Sequence, residues 1–375
     1  MSLLFKNATV YTGGKLSSCD LLVEGSRIKE VAPAGTLSGE GIDLTGRYVV
    51  PGCVDIHTHG CLGFDFSAAS ADEMRQMLRR YLRCGITSVV PTLLTDTREN
   101  MLAAARRVAE VASSQNEDES TVLGVHLEGP FLGLEKKGAH NPDALMPPSE
   151  EFLAELDAAS GGRVVTLTVD PLLNGASEMM RRHRDRLHFS LGHTACDYNA
   201  ALEAFADGAD RITHTFNAMN GIHHREPGLI GAAADSGAFA ELICDGYHVH
   251  PSAVRMLFSI FGERTVLVSD SICASGAPDG VYDQGGLEVF VKDGKATLAD
   301  GTIAGSAAVL SGCMANAVSF GIQPLLAIKA ATENPAAAIG LADRTGVIAP
   351  GRAADLLLLD EKLQLLEVYK NGRRV

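Results

Sequence analysis

From about residue 51 onward, short apolar runs alternate with amphipathic stretches. Segments such as 71–84 and 99–113 have the periodicity of surface helices. Near-continuous apolar strands that alternate with helices predict a parallel sheet covered on its faces. Eight such units favour a closed (β/α)8 TIM-type barrel, with an open doubly wound sheet as the alternative. The eight predicted strands are VDIHTHG, GITSVVPTLL, TVLGVHLEG, VVTLTVD, LHFSLGHT, DRITHTF, AELICDGYH and TVLVSDS.

Both ends of the chain have a different pattern, in which short strands are separated by Gly, Pro and Asn-Gly turns. We expect residues 1–50 and 345–375 to form one small β-sandwich domain, and residues 51–344 to form the barrel. Within the barrel segment, residues 286–299 predict a β-hairpin with Asp-Gly at its turn, inserted after the eighth strand.

Composition and charge narrow the possible partners. The chain has 32 Lys and Arg against 46 Asp and Glu, a net charge of −14, which argues against nucleic acid or an anionic membrane as a partner. An anionic substrate would need a local group to hold it against this field. No apolar run approaches the roughly 18 residues of a membrane span. The eight cysteines form no CxxC pair, so we expect free thiols and a cytoplasmic location.

The end of the first predicted barrel strand reads His57-Thr58-His59. Residues i and i+2 of a strand point to the same side, so both imidazoles can reach one ion. The carboxyl ends of the strands are also where barrel enzymes place their chemistry. Taken alone, an HxH pair is equally well explained as two hydrogen-bonded surface histidines. The other strand ends therefore decide its meaning.

Further strands end in residues that can bind a metal ion. Glu128, His193 and His214 follow the third, fifth and sixth strands. Two imidazoles and one carboxylate with an open position are typical of a catalytic metal site. His126 shares a face with Glu128 but sits deeper in its strand, so we interpret it as a core or supporting residue.

Other polar residues near these strand ends suggest further roles. Asp270 follows the eighth strand, where a carboxylate could take a proton from water and pass it to a leaving group. Asp55 is expected to orient a metal ligand. Three loops could contact substrate: residues 136–142, then 216–220 with 223–228, and 245–248. The second carries an arginine that could bind a phosphate group.

These motifs resemble the N-acetylglucosamine-6-phosphate deacetylase family of the amidohydrolase superfamily over essentially the whole chain. The resemblance implies a (β/α)8 barrel with a β-sandwich from both termini, usually in a homodimer. It also implies hydrolysis of N-acetylglucosamine 6-phosphate to glucosamine 6-phosphate and acetate. The matching segments are PGCVDIHTHG, HLEGPF with KKGAHNP, GHT, ITHTFNAMN with REPGLIG, ICDGYHVHP, LVSDS, GTIAGSAAVL, ATENPAAAIGL and GVIAPGRAADLLLLD.

The same resemblance implies a metal centre holding one or two divalent ions per subunit, zinc or iron. Glu128, His193 and His214 would bind the principal ion. Because this sequence keeps the HxH pair, which some family members replace, His57 and His59 would bind a second ion with Glu128 bridging.

For the substrate, the resemblance makes Asp270 the general acid and base, and His248 the group that polarises the acetyl carbonyl. His140 would contact the sugar. The phosphate would meet the backbone at Asn217 and Ala218, together with Arg225 from the neighbouring subunit.

The sequence departs from the family in two places, and it leaves alternatives open. It reads SDSICASG after the eighth strand, where a TDA-type start is common, and His250 stands where Asp is common. One alternative is a deacetylase for a related amino-sugar phosphate such as N-acetylgalactosamine 6-phosphate. Another is a cyclic amidase, although a barrel lysine would then be expected in place of Glu128. A non-catalytic sugar-phosphate sensor should have lost Asp270 or a metal ligand.

Overall fold

The computed structural model describes residues 2–375 of the chain. Its N-terminal part is entirely β-structure, as expected from the short alternating pattern. The strands are β1 (Ser2–Thr12), β2 (Lys15–Glu24), β3 (Arg27–Pro33), β4 (Ile42–Asp43) and β5 (Tyr48–Pro51).

A parallel barrel follows directly. Its strands and the short pieces among them are β6 (Cys53–Thr58), β7 (Gly60–Cys61), β8 (Phe64–Asp65), β9 (Ile86–Leu94), β10 (Thr121–Val122), β11 (Val125–Glu128), β12 (Val164–Val169), β13 (His188–Leu191), β14 (Ala209–Ile212), β15 (Phe239–Ile243) and β16 (Thr265–Val268). The hydrogen-bonded order is β6-β9-β11-β12-β13-β14-β15-β16. Between β16 and β6, the backbone N–H of Asp270 donates to His57 O (2.9 Å) and that of His59 to Ser271 O (2.7 Å). The predicted barrel is confirmed, and the doubly wound alternative is wrong.

Helices cover the outside of the barrel. They are α1 (Ala71–Arg83), α2 (Arg98–Ser113), α3 (Glu150–Ala159), α4 (Ala176–His183), α5 (Tyr198–Asp207), α6 (Gly228–Ser236) and α7 (Pro251–Phe261), with 3-10 turns at Leu134–Lys136, Pro142–Ala144 and Gly262–Arg264. The start of α1 shows why a helix forms there. Ser70 and Glu73 make a capping box, in which each side chain bonds the other's backbone N–H. No helix among residues 2–375 is both long and apolar enough to cross a membrane.

The chain then builds a four-stranded antiparallel sheet over the barrel mouth, which we call the cover sheet. It consists of β17 (Gly280–Gln284), β18 (Leu287–Lys292), β19 (Lys295–Thr297) and β20 (Ile303–Ser306). The Asp293-Gly294 turn joins β18 to β19. The cover sheet is fixed to the barrel at one strand end, because Ser306 N donates to Asp270 O (2.9 Å).

The last elements are α8 (Leu310–Ser319), α9 (Pro324–Ala331), α10 (Glu333–Ala338), β21 (Leu356–Leu359), β22 (Leu365–Lys370) and β23 (Arg373–Arg374). The C-terminal strands return to the first ones, in the order β23-β22-β21-β5-β1-β2-β3, with β4 also on β1. The prediction that both ends build one β-structure is confirmed. Its separate core includes Phe5, Leu21, Val49, Leu356 and Tyr369.

The strand boundaries differ from the prediction in two ways. The third predicted strand is interrupted at Gly124, where an added Cβ would lie 2.5 Å from a methyl of Val165, so β10 and β11 are separate. The fifth and sixth strands stop before their histidines. His193 and His214 lie two residues beyond β13 and β14, in turns with φ of +49° and +28°. These are conformations that residues other than Gly seldom adopt.

Candidate active site

A cavity of about 370 Å³ opens at the carboxyl ends of the barrel strands, beneath the cover sheet. Its size falls within the range of small-molecule sites. Of the residues assigned a role from the sequence, those that line it are His59, Glu128, His140, His193, His214, Asn217, Ala218, His248 and Asp270. His57 lies just below this surface, fully buried. Arg225 is exposed and does not line the cavity of its own chain.

Glu128, at the end of β11, lies at the centre of the site. Its Oε1 atom is 3.3 Å from Nε2 of His193 and 3.1 Å from Nε2 of His214. The two Nε2 atoms are 3.0 Å apart. The three residues predicted to bind the principal ion therefore converge on one point, although β11, β13 and β14 are far apart in sequence.

The His57–His59 pair approaches Glu128 from the other side. Nε2 of His57 lies 3.3 Å from Oε1, and Nε2 of His59 lies 3.2 Å from Oε2. Two groups of potential ligands thus share Glu128: one with His57 and His59, the other with His140 and His193. This is the arrangement that a bridging carboxylate requires.

The chemistry of these groups fits a divalent metal ion. Nitrogen and carboxylate donors suit zinc or iron. Burial lowers the pKa of His59, but Asp270 and Glu128 outweigh it and raise that pKa to about 9. Burial raises the pKa of Glu128, yet the surrounding imidazoles, His57 first, hold it well below its usual range. The site thus stabilises positive charge beside its carboxylates, and a dication would supply that charge.

The imidazoles are also held in the orientation that metal binding needs. Nδ1 of His193 lies 2.9 Å from the carbonyl oxygen of Lys136, and Nδ1 of His57 lies 3.0 Å from Oε2 of Glu241. A carbonyl or carboxylate can only accept, so each Nδ1 carries a proton, and in the neutral ring that binds a metal ion Nε2 keeps its lone pair. Within residues 2–375, Nε2 of His57 has no aligned hydrogen-bond partner.

Asp270 faces both histidines of the pair. Its Oδ1 lies 3.2 Å from Nε2 of His59 and 3.5 Å from Nε2 of His57. Burial raises the pKa of Asp270, but the two histidines outweigh it and lower that pKa to about 2. The carboxylate is therefore ionised at neutral pH, as a proton acceptor must be. Its backbone φ is +47°, held by the bonds to His57 O and Ser306 N.

His248 reaches the cavity from the loop after β15. Its Nδ1 lies 2.7 Å from Oδ2 of Asp245, and its backbone N–H donates to Oδ1 of the same residue (2.9 Å). With a carboxylate on Nδ1, Nε2 carries a proton only in the imidazolium form. In that form the ring can donate a hydrogen bond to a carbonyl oxygen.

His140 lies closer to the metal ligands than a sugar contact requires. Its Nε2 is 3.4 Å from Oε2 of Glu128, and its Nδ1 is 2.9 Å from the hydroxyl of Thr95. Burial lowers the pKa of His140 to about 4, so the ring is neutral at pH 7. Its position suits a substrate contact beside the ions as well as direct ligation.

The residues expected to meet a phosphate differ in availability. The backbone N–H of Asn217 donates to His214 O (3.0 Å), whereas that of Ala218 has no acceptor among residues 2–375. The one lysine or arginine of the described chain that lines the cavity is Lys136. The sequence placed it in a candidate loop without assigning it a role. The guanidinium of Arg225 contacts only His224 Nε2, at 2.7 Å.

Two residues beneath the site, His126 and Asp55, were also given roles from the sequence. His126 is a core residue, bonded to the hydroxyls of Thr92 (3.1 Å) and Thr168 (2.8 Å). Asp55 contacts the predicted ligand His57 through its backbone and not through its imidazole. Its Oδ1 accepts instead from the backbone N–H of His57 and of Ser269, at 3.4 and 3.3 Å.

Glu241, which contacts Nδ1 of the His57 ring, and its partner Arg211 were not predicted from the sequence. Both are charged residues inside otherwise apolar strands, and this was the signal that could have revealed them. His250, which replaces a common Asp, caps α7 by accepting from the N–H of Ser252 (3.1 Å). It stands outside the cavity.

Comparison with known proteins agrees with this geometry. A model described as the amidohydrolase family matches residues 48–375. The chain is 35% identical over 395 residues to an N-acetylglucosamine-6-phosphate deacetylase of Homo sapiens, covering 100% of this chain and 95% of that one. It is 33% identical over 326 residues to an N-acetylgalactosamine-6-phosphate deacetylase of Escherichia coli O157:H7, covering 86% of each.

Among solved structures, the chain is similar to a variant of N-acetyl-D-glucosamine-6-phosphate deacetylase from Mycobacterium smegmatis in complex with N-acetyl-D-glucosamine-6-phosphate. The TM-score is 0.94 at 32% identity, covering 100% of this chain and 99% of the other. The similarity therefore extends over the terminal β-structure as well as the barrel.

Proposed function

This chain belongs to the amidohydrolase family, and we propose that it hydrolyses the acetamide of N-acetylglucosamine 6-phosphate to glucosamine 6-phosphate and acetate. The convergence of His193 and His214 on Glu128, with Asp270 facing the same cavity, is the observation that carries the proposal. No predicted ligand is displaced from the site, which argues against a sensor that has lost catalysis.

The side chains divide the reaction among them. A divalent ion, when held by Glu128, His193 and His214, lowers the pKa of water and polarises the amide carbonyl. Asp270 accepts the proton of the attacking water and returns it to the amide nitrogen as the C–N bond breaks. His248, held by Asp245, polarises the carbonyl oxygen, where negative charge develops. Water thereby adds OH to the acetyl carbon and H to the amine.

The number and kind of ions form a finer part of the proposal. We assign zinc or iron from the donor set, and a second ion to His57 and His59 with Glu128 bridging. The distances of 3.3 and 3.2 Å from these rings to the two oxygens of Glu128 support it.

The contacts with the phosphate group of the substrate are a second finer part of the proposal. The N–H of Ala218 suits an anion in the cavity, and Lys136 is the lysine of the described chain that lines it. Arg225 lies outside its own cavity, which supports its action on the site of a second subunit in a homodimer. The eight free, buried cysteines support a cytoplasmic location.

One experiment separates the candidate substrates. Acetate release would be measured from N-acetylglucosamine and N-acetylgalactosamine, each with and without 6-phosphate, on protein of known metal content. We expect the 6-phosphorylated gluco compound to give the highest kcat/KM. A preference for the galacto compound would favour the activity of the Escherichia coli relative, and no release with any compound would refute the proposal.

A further inference from the structure

The barrel interior beneath the ligands contains a buried ion pair with no part in the reaction as derived above. Arg211 on β14 and Glu241 on β15 are both fully buried, with Nε and Oε1 2.8 Å apart. The other oxygen of Glu241, Oε2, faces Nδ1 of His57 (3.0 Å) and accepts from the backbone N–H of His214 (3.3 Å). The guanidinium also donates to the carbonyl of Ala338 (2.9 Å).

Glu241 determines which nitrogen of His57 is free. A carboxylate has no proton to give, so Nδ1 of His57 must donate; in the neutral ring, the form that binds a metal ion, Nε2 then keeps its lone pair. That lone pair faces Oε1 of Glu128, 3.3 Å away. If Nδ1 instead accepted a hydrogen bond, Nε2 would carry the proton and could not bind an ion.

Arg211 explains why the carboxylate can remain charged at this depth. A buried carboxylate without a partner is strongly unfavourable, and a fixed guanidinium compensates it. As a result Oε1 of Glu241 faces the charge of Arg211, and Oε2 is left to accept from His57 and His214.

We propose that Glu241, fixed by Arg211, is the positioning residue that makes His57 a ligand for the second ion. The inference rests on the proposed function only in placing a divalent ion at His57 and His59. Loss of such an outer contact lowers metal affinity by about 10- to 100-fold in comparable sites. We expect that loss for the second ion alone, because Glu241 does not touch the rings of His193 and His214.

The test uses Glu241→Gln and the double variant Arg211→Met/Glu241→Gln. Glutamine offers one acceptor end and one donor end, whereas the network needs an acceptor at both. If the side-chain oxygen of the glutamine faces Arg211, its NH2 group faces Nδ1 of His57. Nδ1 must then accept a hydrogen bond, and the proton of the neutral ring moves to Nε2. Without Arg211, the amide oxygen is free to face His57 again. Zinc content and affinity would be measured by metal analysis and by competition with a chromogenic chelator.

We expect the wild type to bind two ions, Glu241→Gln to bind the second ion about 10- to 100-fold more weakly, and the double variant to recover it. If the ion pair only stabilised the fold, the additional removal of Arg211 would not be expected to restore binding of the second ion. Glu263→Gln, which breaks the exposed contact with Lys329 (3.1 Å), is the matched control and should bind as the wild type does.

The inference is overturned by wild-type affinity for both ions in Glu241→Gln, by no recovery in the double variant, or by a wild type that binds only one ion at saturating zinc. If Glu241→Gln does not fold, the double variant decides by holding two ions or one. Acetate release by the wild type is measured in parallel. It tests the proposed function separately, since turnover with one ion would uphold that function while the positioning role fails.

Discussion

The backbone N–H of Asp270 donates to the carbonyl oxygen of His57 over 2.9 Å. This bond joins the last barrel strand to the first and brings the Asp270 carboxylate to 3.2 Å from Nε2 of His59. The hydrogen bond that closes the barrel therefore also positions Asp270 in the site. Because the backbone makes the closing bond, a side-chain substitution at Asp270 tests chemistry without opening the barrel.

We expect Asp270→Asn to retain its metal and to lose turnover by about 10²- to 10⁴-fold, since an amide cannot carry the proton from water to the amine. Metal analysis and acetate release measure the two effects. Asp185→Asn, at an exposed position, is the control and should match the wild type. Near-normal turnover in Asp270→Asn would rule out the proton-transfer role.

Asp245→Asn should lower kcat by about 10-fold or more and change KM little, because the amide no longer holds the His248 ring as the carboxylate does against the charge that develops on the carbonyl oxygen. The 2.7 Å contact between Asp245 and Nδ1 of His248 motivates this expectation. Steady-state kinetics with the phosphorylated substrate measure it. A rise in KM at constant kcat would instead make His248 a binding residue.

Arg225→Ala should raise KM for the 6-phosphorylated substrate by about 10- to 100-fold, the range of a lost charge-assisted contact, and leave unphosphorylated substrate unaffected. An equal effect on both substrates would contradict a phosphate contact. Action across an interface can be tested by mixing Arg225→Ala with Asp270→Asn subunits. In a hybrid dimer one site has both residues intact, so about a quarter of wild-type activity should return after subunit exchange.

Lys136→Met should weaken the binding of the phosphorylated substrate about 10-fold, since Lys136 is the lysine of the described chain that lines the cavity. The adjacent Lys137→Met is the matched control. The ammonium of Lys137 donates to backbone carbonyls of Gly138 (3.2 Å) and His140 (3.5 Å), so its loss should act on loop stability. KM values for substrates with and without phosphate distinguish the two lysines. Equal effects of both substitutions on KM would contradict a contact between Lys136 and the phosphate.

Asp20→Asn should cost about 1–3 kcal/mol of stability at pH 7, because the buried carboxylate accepts from the N–H groups of Asn7 and Leu37, each at 3.0 Å. Burial raises the pKa of Asp20, but these backbone bonds outweigh it and lower the pKa. The stabilisation is therefore present above the unfolded-state pKa, about 3.9, and is lost as pH falls through the folded-state value. Denaturation at pH 7 and near pH 3 measures it. A difference between variant and wild type that does not shrink at low pH would contradict the assignment.

Much of this fold could be predicted because eight apolar runs alternate with amphipathic helices, a pattern that few architectures satisfy. The exact residue at which each strand ends could not be predicted. His193 and His214 lie in left-handed turns that tertiary bonds impose, and local propensity gives no sign of them. The interruption at Gly124 depends on close packing against Val165 from the next strand.

The candidate site was predictable to the extent that each residue type reveals its own chemistry. Glu128 and the histidines at strand ends are recognisable ligands, so their positions followed from the barrel. Asp55 was expected to orient a metal ligand from its place two residues before His57, and it contacts the backbone of that histidine. Which carboxylate reaches Nδ1 depends on the interior of the closed barrel, where Glu241 from a distant strand lies nearer.

The order of strands in the terminal sheet has a consequence for biosynthesis. β21, at Leu356–Leu359, pairs with β5 at Tyr48–Pro51, so the partner of β5 is synthesised only after the whole barrel. Until then, that edge of the N-terminal sheet presents unpaired backbone groups to other nascent chains. Truncation of the C-terminal strands should therefore promote aggregation during synthesis, even though every proposed metal ligand is retained.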